Sequence, residues 1–267
     1  MKNRFICLLL AVLLCLSIFG CAAEPPLKET PVEDFHIGFT EKGAQILEYK
    51  GTEKHIVIPA EADGVPVVST YMSFYGLDIE SVVFPDSVTD IYDMTFKGCK
   101  NLKSVTFGDG LKTIGYEAFY GCSSLEAIDL PDGVEKISGY AFYGCSSAKT
   151  LRIPGTVKEW EGTVQFFGLE SLEELVLEDG LESLKGYAMF SGPSKVTSLT
   201  IPASMKELGE KTIGYKSIES VTFLGDAPET VGDSVFGDRD TNFTIYYDED
   251  TAGWEDTPLR EYTLKAR

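Results

Sequence analysis

A unit of 23 residues recurs along most of this chain, and that fixed period decides more about the fold than any single motif. Three consecutive segments carry it without a gap: IESVVFPDSVTDIYDMTFKGCKN (79–101), LKSVTFGDGLKTIGYEAFYGCSS (102–124) and LEAIDLPDGVEKISGYAFYGCSS (125–147). Later units drift between 22 and 24 residues: AKTLRIPGTVKEWEGTVQFFGLES (148–171), LEELVLEDGLESLKGYAMFSGPSK (172–195), VTSLTIPASMKELGEKTIGYKS (196–217) and IESVTFLGDAPETVGDSVFGDRD (218–240). A partial unit begins at Asn242, and another begins upstream at Lys54. A unit this short cannot bury an apolar face alone, so neighbouring copies must stack and share one core.

Within a unit the apolar positions are constant. Leu102, Val105, Phe107, Leu111, Ile114, Phe119 and Cys122 recur as Leu125, Ile128, Leu130, Val134, Ile137, Phe142 and Cys145. Apolar residues two apart, as in Val105 and Phe107, predict a strand with one buried face. The sequences Gly108-Asp109-Gly110 and Pro131-Asp132-Gly133 supply the turn that follows. The pattern predicts a β-rich repeat solenoid, a curved, leucine-rich-repeat-like stack of about nine rungs of 22–24 residues. At about 4.8 Å between strands, the stack would be roughly 40 Å long.

The Ile/Val-Pro turn stands at Ile58-Pro59, Ile153-Pro154 and Ile201-Pro202, with Phe84-Pro85 and Leu130-Pro131 as variants. It combines with the signature Ala118-Phe119-Tyr120-Gly121-Cys122-Ser123-Ser124-Leu125. In these features the chain closely resembles the BspA-type leucine-rich repeat family of bacterial surface proteins. The resemblance implies an N-terminal β-hairpin cap (35–54, turning about Gly43), a repeat solenoid (55–247) and a C-terminal closure (248–267) containing Gly253-Trp254. Leu169 in place of cysteine, Met189 in place of phenylalanine and Trp160 in place of isoleucine mark the rungs expected to be least regular.

The start of the chain reads as an address. Lys2 and Arg4 precede an apolar run from Phe5 to Phe19, too short to span a bilayer and suited to a secretory signal peptide, 1–20. Phe19-Gly20-Cys21-Ala22 resembles a bacterial lipobox, which implies lipidation of Cys21, although Phe19 departs from the usual residue. The alternative is plain cleavage near Ala22 or Ala23. Pro25, Pro26 and Pro31 then favour extended backbone and mark 21–34 as a tether. The expected location is extracytoplasmic, with the membrane reached through the lipid anchor only.

Charge narrows the partners. Lys and Arg total 23 against 42 Asp and Glu, a net charge of -19, the opposite of what phosphate neutralisation needs, so no nucleic acid is expected. Two histidines, His36 and His55, leave little for His-based catalysis, and no nucleophile motif or phosphate loop is present. Neither an enzyme activity nor a cofactor is therefore expected. Cys99, Cys122 and Cys145, spaced by one rung each, read as a column of buried thiols rather than a disulfide or a metal site. Asp238, Asp240, Asn242 and Glu249 have the spacing of a calcium loop, but Phe243 stands where that loop needs glycine and the repeat register puts Phe243 to Tyr246 in a strand, so Asp248, Glu249 and Asp250 read as a solvated acidic turn.

Two surfaces remain as candidates. Opposite the buried strand positions lie Ser104, Thr106, Asp129, Thr150, Arg152, Ser198, Thr200, Ser220 and Thr222, a small and polar face. Tyr116, Tyr120, Tyr140, Tyr143 and Tyr187 recur in the turns, where they either contact a ligand or pack between rungs. Resemblance to adhesive family members implies an extracellular protein partner. Recurrent aromatics leave a glycan, or a scaffolding role in an envelope complex, as the alternative.

Overall fold

The computed structural model describes residues 28–239 and 242–267, so the proposed signal peptide and Cys21 lie outside the described residues. Phe35–Thr40 and Gly43–Tyr49 form an antiparallel hairpin at the N-terminal end. Gly43 has φ of 146°, and a Cβ there would stand 2.7 Å from the Pro66 carbonyl oxygen. From the hairpin onward the backbone winds as a succession of short parallel strands on two sides and a turn on the third.

The first strand ladder runs through His55–Val57, Ser81–Val83, Ser104–Thr106, Ala127–Asp129, Thr150–Ile153, Glu174–Leu177, Ser198–Ile201, Ser220–Phe223, Thr244–Tyr247 and Thr263–Ala266. That is ten strands. The expected nine rungs become ten because the tail returns a strand, Thr263–Ala266, parallel to Thr244–Tyr247. A second ladder begins at Gly43–Tyr49 and Val65–Thr70 and continues through two-residue strands from Asp90–Ile91 to Thr230–Val231. Trp254 closes the far end, stacked on Tyr247 at 4.6 Å and set edge-on to Phe223 at 5.1 Å. At the near end, Thr30 exchanges hydrogen bonds with Val57 (2.9 and 3.0 Å) and the Ala60 N–H reaches Glu29 Oε1 at 3.1 Å. The chain is thus docked from Glu29, inside the segment read as a tether.

The third side is what the Ala-Phe-x-Gly-Cys signature builds. The amides of Phe96, Phe119, Phe142, Phe166 and Phe190 each donate to the next rung, at 2.7, 2.7, 2.9, 3.0 and 2.9 Å. Two residues upstream of each phenylalanine stands a non-glycine residue in the left-handed region: Met94, Glu117, Tyr140, Val164 and Ala188, with φ of 49–58°. That conformation costs about 1–2 kcal/mol per residue and persists because it turns successive amides toward the next rung. The signature glycine closes the turn with a second positive φ, 70° at Gly121. A Cβ on Gly121 would meet nothing within 4 Å, so conformation rather than space demands glycine there.

Behind the turns lies the core. Phe74, Phe96, Phe119, Phe142, Phe166 and Phe190 form one stack with centroids 4.9, 5.0, 5.0, 5.6 and 5.2 Å apart. The phenylalanine slot of the 172–195 rung is filled by Phe190, not by Met189 as the sequence alignment suggests. This rung has one more residue than the first three, and Met189 drops into the position of Ala118 and Ala141. The thiols of Cys99, Cys122 and Cys145 are buried and free, and each donates to the carbonyl of Phe74, Phe96 or Phe119 at 2.9, 3.1 and 3.3 Å. Burial pushes the Cys99 thiol up to about 12, so it stays protonated and unreactive.

Charge alternates along the stack. The residues entering the first ladder are Lys54, Glu80, Lys103, Glu126, Lys149 and Glu173, each joined to the one before by a backbone hydrogen bond. The corresponding positions of the second ladder are Lys112, Glu135, Lys158, Glu182, Lys206 and Glu229. Lys103 meets Glu80 at 2.7 Å, Lys112 meets Glu135 at 3.1 Å and Lys206 meets Glu182 at 2.9 Å. Each carboxylate thus faces a cation one rung away.

Candidate functional site

The strand face is not one surface. Hydrogen bonding along the first ladder stops between Ser104–Thr106 and Ala127–Asp129, and again between Glu174–Leu177 and Ser198–Ile201. The second ladder stops once, between Glu159–Trp160 and Ser183–Leu184. Irregularity at Trp160 follows from its bulk: the indole N–H reaches across to the Ser183 carbonyl at 2.7 Å. The break after Thr106 falls in a rung of regular sequence and is not foreseen there.

These breaks sort the candidate residues into three sets. Ser104 and Thr106 pair with Ser81 and Val83. Asp129 and Thr150 lie with Arg152 in the next block, in register with Glu174 and Val176. Ser198, Thr200, Ser220 and Thr222 form the last, with Thr244 and Tyr246. Arg152 is engaged within the chain: its guanidinium donates to the Leu130 carbonyl at 2.7 Å, to Asp132 at 2.5 Å and to Glu178 at 3.0 Å. It straps three rungs together, which the sequence reading of an open recognition residue does not capture.

The first break interrupts the pairing on one side only. Lys103 still accepts from the Glu126 amide at 3.0 Å, and the second ladder and the turns stay joined across the same rungs. Farther along the strand, the Phe84 amide reaches the Thr106 carbonyl at 2.9 Å, but no equivalent bond runs from Phe107 to Asp129. The inward residues respond. Val82 and Ile128 are each 1% exposed, whereas Val105 and Phe107, expected to be buried, are only partly covered. Exposed carboxylates stand along the same edge at Asp86, Asp109, Asp129 and Asp132; Asp86 accepts the Asp109 N–H at 2.9 Å, and Asp129 and Asp132 both pair with Arg152.

On the turn side the tyrosines meet one another. Tyr120 stacks on Tyr143 at 4.9 Å and Tyr143 on Phe167 at 5.0 Å, with rings within 10° of parallel. The Lys97 ammonium lies 5.1 Å from the Tyr120 centroid and pairs with Glu117 at 2.5 Å. Ring faces are thereby consumed, and what reaches solvent is edges and hydroxyls. Tyr140 is set edge-on to Tyr116 at 5.7 Å, and Tyr187 stands in a later rung with Lys211 at 5.9 Å. Sequence reasoning missed Tyr75, Lys97 and Phe167, which occupy the same column as Tyr120 and Tyr143; their common offset from the signature glycine is the signal that finds them.

His36 is exposed on the hairpin, and His55 Nδ1 lies 2.9 Å from Ser81 Oγ, a histidine–serine pair on the exposed strand face to which the hydrogen bonds of the described residues bring no carboxylate. Among the described residues no group of three or more His, Cys, Asp or Glu could hold a metal ion. Asp240 lies outside the described residues, and Thr244–Tyr247 is a strand.

The geometry of stacked rungs with this signature has a sequence counterpart. The family model for the BspA type leucine rich repeat region matches in six copies over residues 70–165 and 161–249. The chain belongs to this family. Among solved structures, the BspA-type chain is similar to a leucine rich repeat protein of T. pallidum (28% identity, 90% of this chain and 98% of that one, TM-score 0.61). It is also similar to a leucine rich cell surface protein of Faecalibacterium prausnitzii A2-165 (23% identity, 86% and 73%, TM-score 0.61). A leucine-rich repeat protein of Bacteroides ovatus has the same fold (21% identity, 90% and 77%, TM-score 0.56). No curated protein matches the chain at a significant level.

Proposed function

We propose that this BspA-type protein is an extracytoplasmic, lipid-anchored scaffold whose solenoid binds other proteins. The observation that carries the binding role is the architecture itself. Ten strands in three hydrogen-bonded blocks present an extended outward face, and no group of three or more His, Cys, Asp or Glu among the described residues could hold a metal ion. Repeat solenoids use such surfaces for recognition. Placement outside the cell rests on the basic start, the short apolar run and the lipobox-like Gly20-Cys21, and agrees with the cell-surface description of the F. prausnitzii relative. Among the described residues no helix is long and apolar enough to cross a membrane. Removal of 1–20 takes two cations and no acids, leaving a net charge of -21 from 21 basic and 42 acidic residues. On this reading 21–34 is the linker, docked on the first rung from Glu29 onward, 35–54 the cap, 55–247 the binding body and 248–267 the closure.

Protein binding is favoured over glycan binding because sugar rings stack on aromatic faces, and here Tyr120, Tyr143 and Phe167 cover each other's. Two experiments test the proposal. Labelled palmitate fed to cells should enter the wild-type protein and not Cys21→Ser; equal membrane partition and mobility of the two would remove the anchor. Extracellular proteins retained by the full chain should be displaced by excess free chain, and retention that never saturates would remove the binding role.

A further inference from the structure

The geometry points to the outer edge of the last strand, Thr263–Ala266, as the place where an extended segment of a partner protein adds as an eleventh strand, with a carboxylate opposite Lys265 and apolar side chains on either side of it. This deepens the protein-binding reading and rests on it. The two ends of the first ladder differ. At the near end the strand His55–Val57 is already met by an extended piece of the chain, Thr30 exchanging hydrogen bonds with Val57 at 2.9 and 3.0 Å. At the far end no strand among the described residues pairs with the outer side of Thr263–Ala266. The Arg267 amide donates to the Tyr247 carbonyl at 3.0 Å and the Arg267 carbonyl accepts from Glu249 at 3.4 Å, and the register carries this inward pairing back to Lys265. Alternate residues of a parallel ladder point the other way, so the amides and carbonyls of Leu264 and Ala266 face outward. Three of the four residues in the strand are exposed, and Leu264 is partly so. Such a row of unpaired groups is what an added strand bonds to.

Side chains then select the occupant. Leu264 continues the inner column of Leu199, Val221 and Ile245. Those three are at most 2% exposed, whereas Leu264 lacks a further rung and is only partly covered. With Tyr247, Trp254, Glu255 and Arg260 it lines an open cleft of about 300 Å³. An added strand sends alternate side chains to that inner side, where branched or aromatic residues complete the column. On the outer side Lys265 is exposed and makes no ion pair among the described residues, whereas Arg267 is held by Asp248 at 2.7 Å. A lysine on an open edge deters basic and neutral strands and rewards a carboxylate directly across. It also deters a second copy, since antiparallel pairing of Leu264 with Ala266 would set two Lys265 side chains opposite each other. The net charge of -19 keeps the match local: one carboxylate among uncharged residues, not an acidic run.

The test uses the full chain and short fluorescent peptides of alternating valine and threonine whose central threonine is replaced by glutamate or by lysine. The glutamate peptide should bind at least about threefold more tightly than the lysine peptide, and Lys265→Glu should reverse the preference. N-methylation of every second amide of the peptide should weaken binding at least about tenfold in one phase and leave it in the other, because only one edge of the peptide faces the strand. In the free protein the amides of Leu264 and Ala266 should exchange faster than that of Lys265, and they should slow on binding. No binding by either peptide, an unchanged preference in Lys265→Glu, equal loss in the two methylation phases, or protection elsewhere in the chain would each overturn the edge site. A natural protein partner that binds Lys265→Glu unchanged would overturn the edge site yet keep the protein-binding function. Failure to retain any partner, with the peptide results as expected, would remove the function and leave the edge site.

Discussion

The turn side and the first strand side of this solenoid are built from the same rungs and behave differently. Hydrogen bonds pass from turn to turn without interruption from Phe74 to Ile213, whereas the strand ladder on the facing side is cut twice. Each turn offers the next rung two or three amides held by a left-handed residue and a glycine, and buries a phenylalanine in a continuous stack. Each strand offers only three or four residues and a branched aliphatic side chain. Regular β-structure is thus the weaker element here. The irregular-looking turn is the spine.

Removing a ring from the spine tests this contrast most severely. Phe119→Ala should cost about 3–5 kcal/mol in a denaturant titration, from lost burial and the cavity left in the stack. Phe107→Ala, on the open strand side, should cost about 1–2 kcal/mol because the ring is only partly removed from water. Equal losses would erase the distinction. Gly121→Ala is a milder assault on the same turn: about 1–2 kcal/mol, conformational in origin, since the methyl has room. Native-state hydrogen exchange should find the amides of Phe119 and Phe142 exchanging at least about tenfold more slowly than those of Phe107 and Ile128. The smallest effect belongs to the charge columns. Lys103→Glu sets three carboxylates in a row with Glu80 and Glu126 and should cost about 0.5–1 kcal/mol, shrinking in high salt. A loss that salt does not change would mean that the alternation is not electrostatic.

The acid limb of stability has a stated sign. The carboxyl of Glu80 is held low, chiefly by the hydrogen bond from Lys103, and that of Glu161 chiefly by the hydrogen bond from Lys136. A depressed folded-state pKa contributes stability above the unfolded value and loses it as pH falls through the folded one, so these pairs weaken only below the ordinary carboxylate range. Both carboxylates lie at the surface, where solvent screening keeps the contribution small.

Much of this was readable from residue order. A fixed period with Phe119, Cys122 and Leu125 recurring in most of the early rungs dictates stacking, and Ser104-Val105-Thr106 dictates which side faces out, because burial follows alternation. What escaped was whatever residue type does not encode. Glu117, Tyr140 and Val164 share one left-handed backbone position and no chemistry, so nothing in their identities marks it. Met189 and Phe190 are both plausible occupants of the aromatic slot, and only the extra residue in that rung, once stacked, selects Phe190. Arg152 alternates outward as expected, yet its length lets it turn back to Leu130, Asp132 and Glu178, a choice made by neighbours 20–26 residues away. The candidate face could be read in outline; its division by the ladder breaks could not, because strand pairing depends on how adjacent rungs tilt.

The alternating columns of lysine and glutamate also govern how such a chain can grow. Loss of a single coil would bring Lys103 against Lys149, or Glu80 against Glu126, and a copy of one coil would set a charge beside its own duplicate, whereas a copy of two coils keeps opposite signs within the alternating stretch. The repeat written in the backbone is one coil long, and the repeat written in charge is two. Length variants that differ by one coil should therefore carry a like-charge contact of about 0.5–1 kcal/mol that variants differing by two coils avoid.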